Sequence, residues 1–341
     1  MASAPHTRSQ TIADVAARAG VSLATVSRVM NGNPSVDEAL AEKVRAAAEE
    51  LNYTASPLAR GLVLGKTSTI AVVVPDLANP TFHGVLRGLS RAAGQDGYHV
   101  LIADSAESVA EERILAVETR RRCDGIVLCA PRMAESDLRP LLTELKPVVL
   151  VNREAGSSST PVVAADYRTG LSGLIDLLYG YGHRSLAYLA GAPQSASNAR
   201  RLAAVRDFLD DHLDVAIQVL PCGVNFADGY DAAGRVLASS ATGVLAFNDL
   251  VAMGLMSALS ERGVSVPGHV SVVGFDDIPF ARYTTPPLTT ASVPVTELGA
   301  QAWQRMWDLL NEREPGHAIF FRPRIESRGS TGPVRAREGV R

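Results

Sequence analysis

Hydrogen-bonding side chains stand at the carboxyl ends of short apolar segments in this 341-residue sequence. Asp76 and Asn79 follow TIAVVV, with Phe82 shortly after, and Asn152 and Arg153 close PVVLVN. Asp166 opens the next stretch, Arg201 follows SLAYLAG, Asn248 and Asp249 follow VLAF, and Asp276 ends VSVVGF. Carboxylates and amides accept from or donate to hydroxyl groups, a guanidinium adds a directional fork, and an aromatic face packs on a sugar ring. The set suits a neutral, hydroxyl-rich small molecule: a sugar or small oligosaccharide first, a nucleoside as the alternative. A purine would ask for a larger aromatic clamp, and aromatic residues make up only 5% of the chain. A highly phosphorylated ligand would ask for a Lys/Arg cluster that is not evident. Each residue also has an ordinary structural use. Asp249 can cap a helix, Asp276 and Asp277 can organise a turn, and Phe82 can be core.

The same inventory does not assemble a catalyst. The stretch VVVPDLANPTFHGV lacks the Gly-rich dinucleotide fingerprint, and no GxxxxGK phosphate loop occurs. Ser195, Asp249 and His269 supply the residue types of a triad without a nucleophile elbow to place them. His83, His99, His183 and His212 lack metal-ligand spacing with cysteines or acids. No enzyme, cofactor or metal is expected. Cys123, Cys129 and Cys222 are too few and too irregular for a disulfide framework and suit a reducing compartment as core thiols. No basic segment leads into an apolar signal, and no apolar run reaches about 18 residues, so the expected location is the cytoplasm, with no membrane partner. A net charge of -3 argues against nonspecific nucleic-acid affinity over the whole surface, yet a local DNA-binding surface can sit on an acidic body.

The candidate binding residues need a scaffold, and from Thr69 onward the chain alternates strands with helices. TIAVVV, HVLIAD, GIVLCA and PVVLVN are separated by helical stretches beginning near Phe82, Ser108 and Asp137. SLAYLAG, VAIQVLP, TGVLAFND and HVSVVGFD repeat the cycle, with helices near Ser197, Phe226, Asp249 and Thr296. Short apolar strands between helices predict a mostly parallel sheet covered on both faces, with ligands beyond the carboxyl ends of the strands. The length allows two such lobes.

Thr11 to Leu51 reads differently, as three short helices. Thr11 and Asp14 can form a capping box, Gly20 stops the first helix, and Ser22 can cap the second. Val26 and Val29 then turn inward, while Leu23, Ala24, Ser27 and Arg28 face outward. Ser35 and Glu38 predict another capping box, opening a helix whose apolar face includes Leu40, Val44, Ala47 and Leu51. This is a helix-turn-helix with a supporting helix, its middle helix suited to a DNA major groove. An ordinary helical bundle fits the composition as well, because charges of both signs are interspersed. Pro57 to Leu64 can make a helix of about two turns, too short to persist alone. It is either a linker or a segment that folds when two copies meet on DNA, with Leu58 and Leu62 on one face and Arg60 near phosphates.

The run DVAARAGVSLATVSRVMNG resembles the DNA-binding start of the lactose-repressor and galactose-repressor family of bacterial transcriptional regulators, and the resemblance extends over residues 9–329. It implies an all-α helix-turn-helix domain at 9–55, a minor-groove hinge helix and linker at 56–66, and a two-lobed α/β periplasmic-binding-protein-like effector and dimerisation domain at 67–330. The lobes are implied to interleave, one taking 68–165 and 294–323 and the other 166–293 and 324–330, with a flexible tail at 331–341. By this resemblance Arg28 reads a base, with two hydrogen bonds available for guanine. Leu23 and Ala24 occupy positions that select operator sequence, Thr25 and Ser27 hold phosphates, and Leu62 wedges into the operator centre. Asp276, Arg201 and Asn152 become the leading effector contacts, with Asp76, Asn79, Phe82, Arg153, Asp166 and Asn248 around them. Val224 or Phe226 falls near a position where relatives place a sugar-stacking aromatic. The implied function is a homodimeric repressor on a palindromic operator, located at the nucleoid when bound and released by a sugar-like effector. Alternatives are a nucleoside-responsive regulator, or one that uses a corepressor or activates some promoters. A dimer is expected over a tetramer, because IESRG is followed by little apolar material and no heptad pattern.

Overall fold

The computed structural model describes residues 10–30, 35–53, 66–156 and 159–334. These divide between two units, one ending at Ser68 and the other beginning at Thr69. The first holds α1 (Ile12–Ala19), α2 (Leu23–Met30) and α3 (Glu38–Glu50). Thr11 and Asp14 close the expected capping box: the Thr11 hydroxyl accepts from the Asp14 N–H at 3.4 Å, and the Asp14 carboxylate accepts from the Thr11 N–H at 2.8 Å. Gly20 ends α1 at φ 67°, a left-handed conformation that a residue without Cβ adopts freely. Ser22 caps α2, its hydroxyl oxygen accepting from the Thr25 N–H at 3.2 Å.

The start of α3 departs from the expected Ser35–Glu38 box. Asp37 is the cap, accepting from the Ala39 and Leu40 N–H groups at 3.1 and 3.2 Å. Glu38 becomes the first helical residue and pairs with Arg45 instead. A full negative charge has the advantage here, because it satisfies free N–H groups and also meets the positive end of the helix dipole. Val15, Val26 and Val44 are fully buried, with Ala16, Ala47 and Ala48 around them. Each buried valine contributes about 1.5–3 kcal/mol, which is how helices too short to persist singly hold one another.

The second unit runs through β1 (Thr69–Val74), α4 (Pro80–Gln95), β2 (His99–Asp104), α5 (Val109–Arg120), β3 (Gly125–Cys129), α6 (Glu135–Glu144), β4 (Val148–Val151) and β5 (Val162–Ala165). It continues through α7 (Tyr167–Gly180), β6 (Ser185–Ala190), α8 (Ala196–Asp211), β7 (Ala216–Pro221), α9 (Phe226–Asp231), α10 (Ala233–Ala238), β8 (Gly243–Ala246), α11 (Asp249–Glu261) and β9 (Ser271–Asp276). β10 (Thr289–Ser292), α12 (Val295–Leu310), β11 (Ile319–Phe321) and β12 (Arg324–Glu326) complete it. Two sheets result, ordered β11-β5-β4-β3-β1-β2 and β12-β10-β9-β8-β6-β7. β12 pairs antiparallel with β10, and the other pairings are parallel. The chain passes between sheets after β5, after β10 and after β11, so the lobes are interleaved. At one crossing the Asp166 N–H donates to the Phe321 carbonyl at 2.8 Å.

Residues 331–334, expected to begin a loose tail, are held. Thr331 is buried, the Gly332 carbonyl lies 3.1 Å from Nε2 of buried His183, and the Val334 N–H donates to the Tyr181 carbonyl at 3.0 Å.

Each lobe contains a helix pair that touches backbone to backbone. A Cβ on Gly88 of α4 would lie 1.9 Å from the Thr296 carbonyl oxygen, and one on Gly299 of α12 would lie 2.0 Å from that of Val85. In the other lobe a Cβ on Gly229 of α9 would lie 2.0 Å from the Val251 carbonyl oxygen, and one on Gly254 of α11 would lie 1.9 Å from that of Phe226. Gly94, exposed in the same helix as Gly88, meets nothing within 4 Å. Gly88→Ala is therefore expected to destabilise the protein by about 1–3 kcal/mol through overpacking, although alanine is the better helix former. Gly94→Ala is expected to stabilise it by about 0.5 kcal/mol. Urea unfolding of both variants checks the opposite signs.

Candidate DNA-reading face and interlobe cleft

On α2, Leu23 is 52% exposed, Ala24 and Arg28 are also exposed, and Thr25 and Ser27 are half-buried. Buried Val26 anchors the helix in the three-helix core. The Thr25 and Ser22 hydroxyls lie 2.9 Å apart and fix the first turn. The outer face thus begins apolar and carries a guanidinium about one turn later, a pattern able to read base edges from a helix in the major groove. Arg60 and Leu62, in the expected hinge helix, lie outside the described residues.

In the two-lobed unit, side chains from both sheets line a small internal cavity of about 30 Å³. Asn79, Thr81, Phe82, Glu107, Arg132 and Asn152 come from one lobe; Tyr167, Ser197, Arg201, Val224, Phe247 and Asp276 come from the other. The strand ends that carry them turn through left-handed backbone at Glu107 (φ 60°), Ala130 (45°), Asn152 (57°) and Asp276 (105°). Such geometry is costly for residues with a side chain and persists where surrounding contacts hold it.

Arg201 is 1% exposed, and its guanidinium carbon sits 4.1, 4.4 and 4.5 Å from the ring centres of Phe275, Tyr167 and Phe247. Its Nε and one terminal nitrogen are buried without a hydrogen-bond partner in the chain. Asp276 accepts from the Thr81 hydroxyl at 2.9 Å, a buried bond that joins the lobes. Burial pushes the Asp276 carboxyl up to about 6, against the opposing pull of the Arg201 charge and the Thr81 bond. Asp249 lies behind it, buried, and is likewise raised well above the usual range by burial and then by the Asp276 charge. It accepts from the Thr290 hydroxyl at 2.6 Å and the Ile278 N–H at 2.8 Å. Across the cleft, Arg132 makes a two-pronged pair with Glu107 at 2.6 and 2.8 Å and donates to the Ala130 carbonyl at 2.9 Å. Glu112 receives the Arg132 and Met133 N–H groups, while burial raises its carboxyl. A second, larger cavity of about 870 Å³ adjoins the first, sharing Asn152, Tyr167 and Ser197 as walls.

Residues 11–56 match the model of bacterial regulatory proteins of the lacI family, and residues 175–331 match that of a periplasmic binding protein-like domain. The chain is 34% identical over 299 residues to the HTH-type transcriptional regulator AscG of Escherichia coli (strain K12), covering 84% of this chain and 88% of AscG. The chain belongs to the lacI family. Among solved structures, a lac repressor dimer bound to operator and the anti-inducer ONPF is similar with a TM-score of 0.84 and 25% identity, over 95% of this chain and 100% of that one. A complex of the transcriptional regulator CelR with cellobiose is similar with a TM-score of 0.67 and 26% identity, over 94% and 99%.

Within this lacI-family chain, the expected residues Asn79, Phe82, Asn152, Arg201 and Asp276 meet at the inner cavity, while Arg153 and Asp166 join Asn152 on the outer one. Asp76 and Asn248 line neither. Asp76 accepts from the Ala78 N–H at 2.7 Å within its own turn. Asn248 caps α11 through the Val251 N–H at 2.9 Å and donates to the Val224 carbonyl at 2.8 Å. It therefore positions Val224, which does line the cavity, whereas Phe226 is exposed away from it. Glu107 and Arg132 were not anticipated, although both follow strand ends, the signal that marks Asn152 and Asp276. Thr81, Tyr167 and Phe247 line the inner cavity without such a signal of their own: Tyr167 and Phe247 adjoin Asp166 and Asn248, and Thr81 lies two residues after Asn79. Among the described residues, no group of three His, Cys, Asp or Glu is disposed to hold a metal, and no helix is long and apolar enough to cross a membrane.

The raised Asp276 carboxyl sets a pH test. An acid whose folded value lies above its unfolded value of about 3.8 binds its proton more tightly when folded, so its charge costs stability above about pH 6. The parent is expected to lose melting temperature relative to Asp276→Asn as pH rises from about 4 to about 6, followed by thermal melts across the range.

Proposed function

We propose that this chain is a transcriptional repressor that binds a palindromic operator as a homodimer and leaves it when a sugar occupies the interlobe cleft. The carrying observation is Arg201, a buried guanidinium with unpaired donors at a cleft between two lobes, in a chain that also bears an exposed reading helix. Hydroxyl oxygens would satisfy those donors. Arg132 is already committed to Glu107, so the cleft offers directed hydrogen bonds more than free charge, which favours a neutral polyol. The similarity to a dimeric repressor on its operator and to a regulator holding cellobiose supports the same reading.

In this reading Arg28 donates to O6 and N7 of a guanine, Leu23 and Ala24 make apolar contacts that select neighbouring bases, and Thr25 and Ser27 hold phosphates. Arg60 and Leu62 act from the hinge segment, the leucine as a wedge between base pairs. Two copies present two reading helices to two half-sites. The effector works through its unequal affinity for two lobe arrangements, and release follows when it prefers the one that binds DNA less well.

The full chain can be used to select operators from random duplexes, and binding can then be followed by fluorescence anisotropy across a panel of sugars and nucleosides. Arg28→Ala is expected to weaken the selected operator by about 1–3 kcal/mol and relax one position in each half-site. Arg201→Gln should keep operator affinity while losing sugar-dependent release. Release by a nucleoside and by no sugar would sink the effector assignment.

A further inference from the structure

We infer that the effector is an oligosaccharide of at least two rings and that the outer cavity is the subsite for the second ring, an inference that rests on the sugar-effector reading above. Size is the first argument. The inner cavity, about 30 Å³, has room for little more than a water molecule, whereas the adjoining one, about 870 Å³, falls within the range of sites that enclose a small organic ligand. Asn152, Tyr167 and Ser197 belong to both, so one extended molecule can reach from one into the other.

Wall chemistry is the second argument. Phe320 on β11 is 49% exposed at this cavity, and an aromatic face open to water suits the apolar face of a sugar ring. Arg153, Arg168 and Arg200 share the wall with Glu135, Glu154 and Asp166. Equal numbers of cations and anions offer no net pull on a charged ligand, but hydroxyls donate and accept and can meet both signs. Arg153 also has a buried Nε without a partner in the chain, a donor that an added hydroxyl oxygen would satisfy. The wall is drawn from both lobes, and the Glu154–Arg200 ion pair spans them there. A second ring would therefore act on the lobe arrangement itself.

The full chain should be tested on a glycan array of mono-, di- and trisaccharides, with affinities measured by titration calorimetry. The inference expects oligosaccharides to bind at least about tenfold, or 1.4 kcal/mol, more tightly than the monosaccharides they contain. Phe320→Ala and Arg153→Gln should each remove most of that preference, and Phe320→Ala should do so while leaving monosaccharide affinity and melting temperature near the parent values. If Phe320→Ala does not fold, Arg153→Gln decides. A monosaccharide that binds as tightly as its oligomers, or a preference untouched by both substitutions, overturns the second subsite and leaves the sugar reading intact. Binding of no glycan of any length overturns both.

Discussion

A buried guanidinium with two unpaired nitrogens constrains everything around the cleft. Taking such an ion out of water costs several kcal/mol even after relaxation. Three aromatic faces against Arg201 offset part of this, each cation–π contact contributing about 0.5–2 kcal/mol. The opposite charge of Asp276 offsets more, and that carboxylate is itself held in an environment that resists ionisation. What remains uncompensated is directional: two donor nitrogens in a confined space. This is the condition under which a ligand hydroxyl contributes more than it would at a wet surface, because it replaces no competing water-exposed bond.

The parallel sheets explain why these groups can meet at all. Parallel connections return each strand in the same direction, so the polar residues after β2, β3, β4 and β9 gather at strand ends rather than scattering along edges. Interleaving adds a second consequence. Asp276 belongs to the lobe of β9 and Thr81 to the lobe of α4, yet the two side chains bond directly. The cavity is therefore bridged by a contact whose geometry depends on the separation of the lobes.

Most of the strands were legible because a parallel strand covered on both faces reads as an unbroken apolar run, as TIAVVV and GIVLC do. β10, with sequence TTAS, hides its hydroxyls by bonding Thr290 to Asp249 and Thr289 to Thr331, so hydropathy cannot reveal its burial. β11 and β12 have three residues each, too few to carry a period, and the interleaving of lobes came from family resemblance alone. At the inner cavity, polarity at a strand end points to Asn152 and Asp276, and Glu107 and Arg132, which follow β2 and β3, carry the same signal. Asn248 carries the same signal but lines neither cavity, because both ends of its amide are committed within the chain, the oxygen to the Val251 N–H and the nitrogen to the Val224 carbonyl.

The strength of the contacts between lobes determines how readily a ligand can act. The Glu154–Arg200 pair is about half exposed on both sides, and such pairs contribute about 0–1 kcal/mol. The Thr81–Asp276 bond is buried and reaches a carboxylate, so it contributes about 1.5–3 kcal/mol. Together they amount to a few kcal/mol, comparable with the 1–3 kcal/mol typical of coupling between sites. A sugar ring does not fit in about 30 Å³, so in the proposed function its entry would displace groups that now fill the cleft, and these two contacts are part of what it would work against. Much stronger contacts would leave the cleft closed at any ordinary sugar concentration. Much weaker ones would leave the lobe arrangement, and with it the DNA-binding state, nearly independent of the ligand.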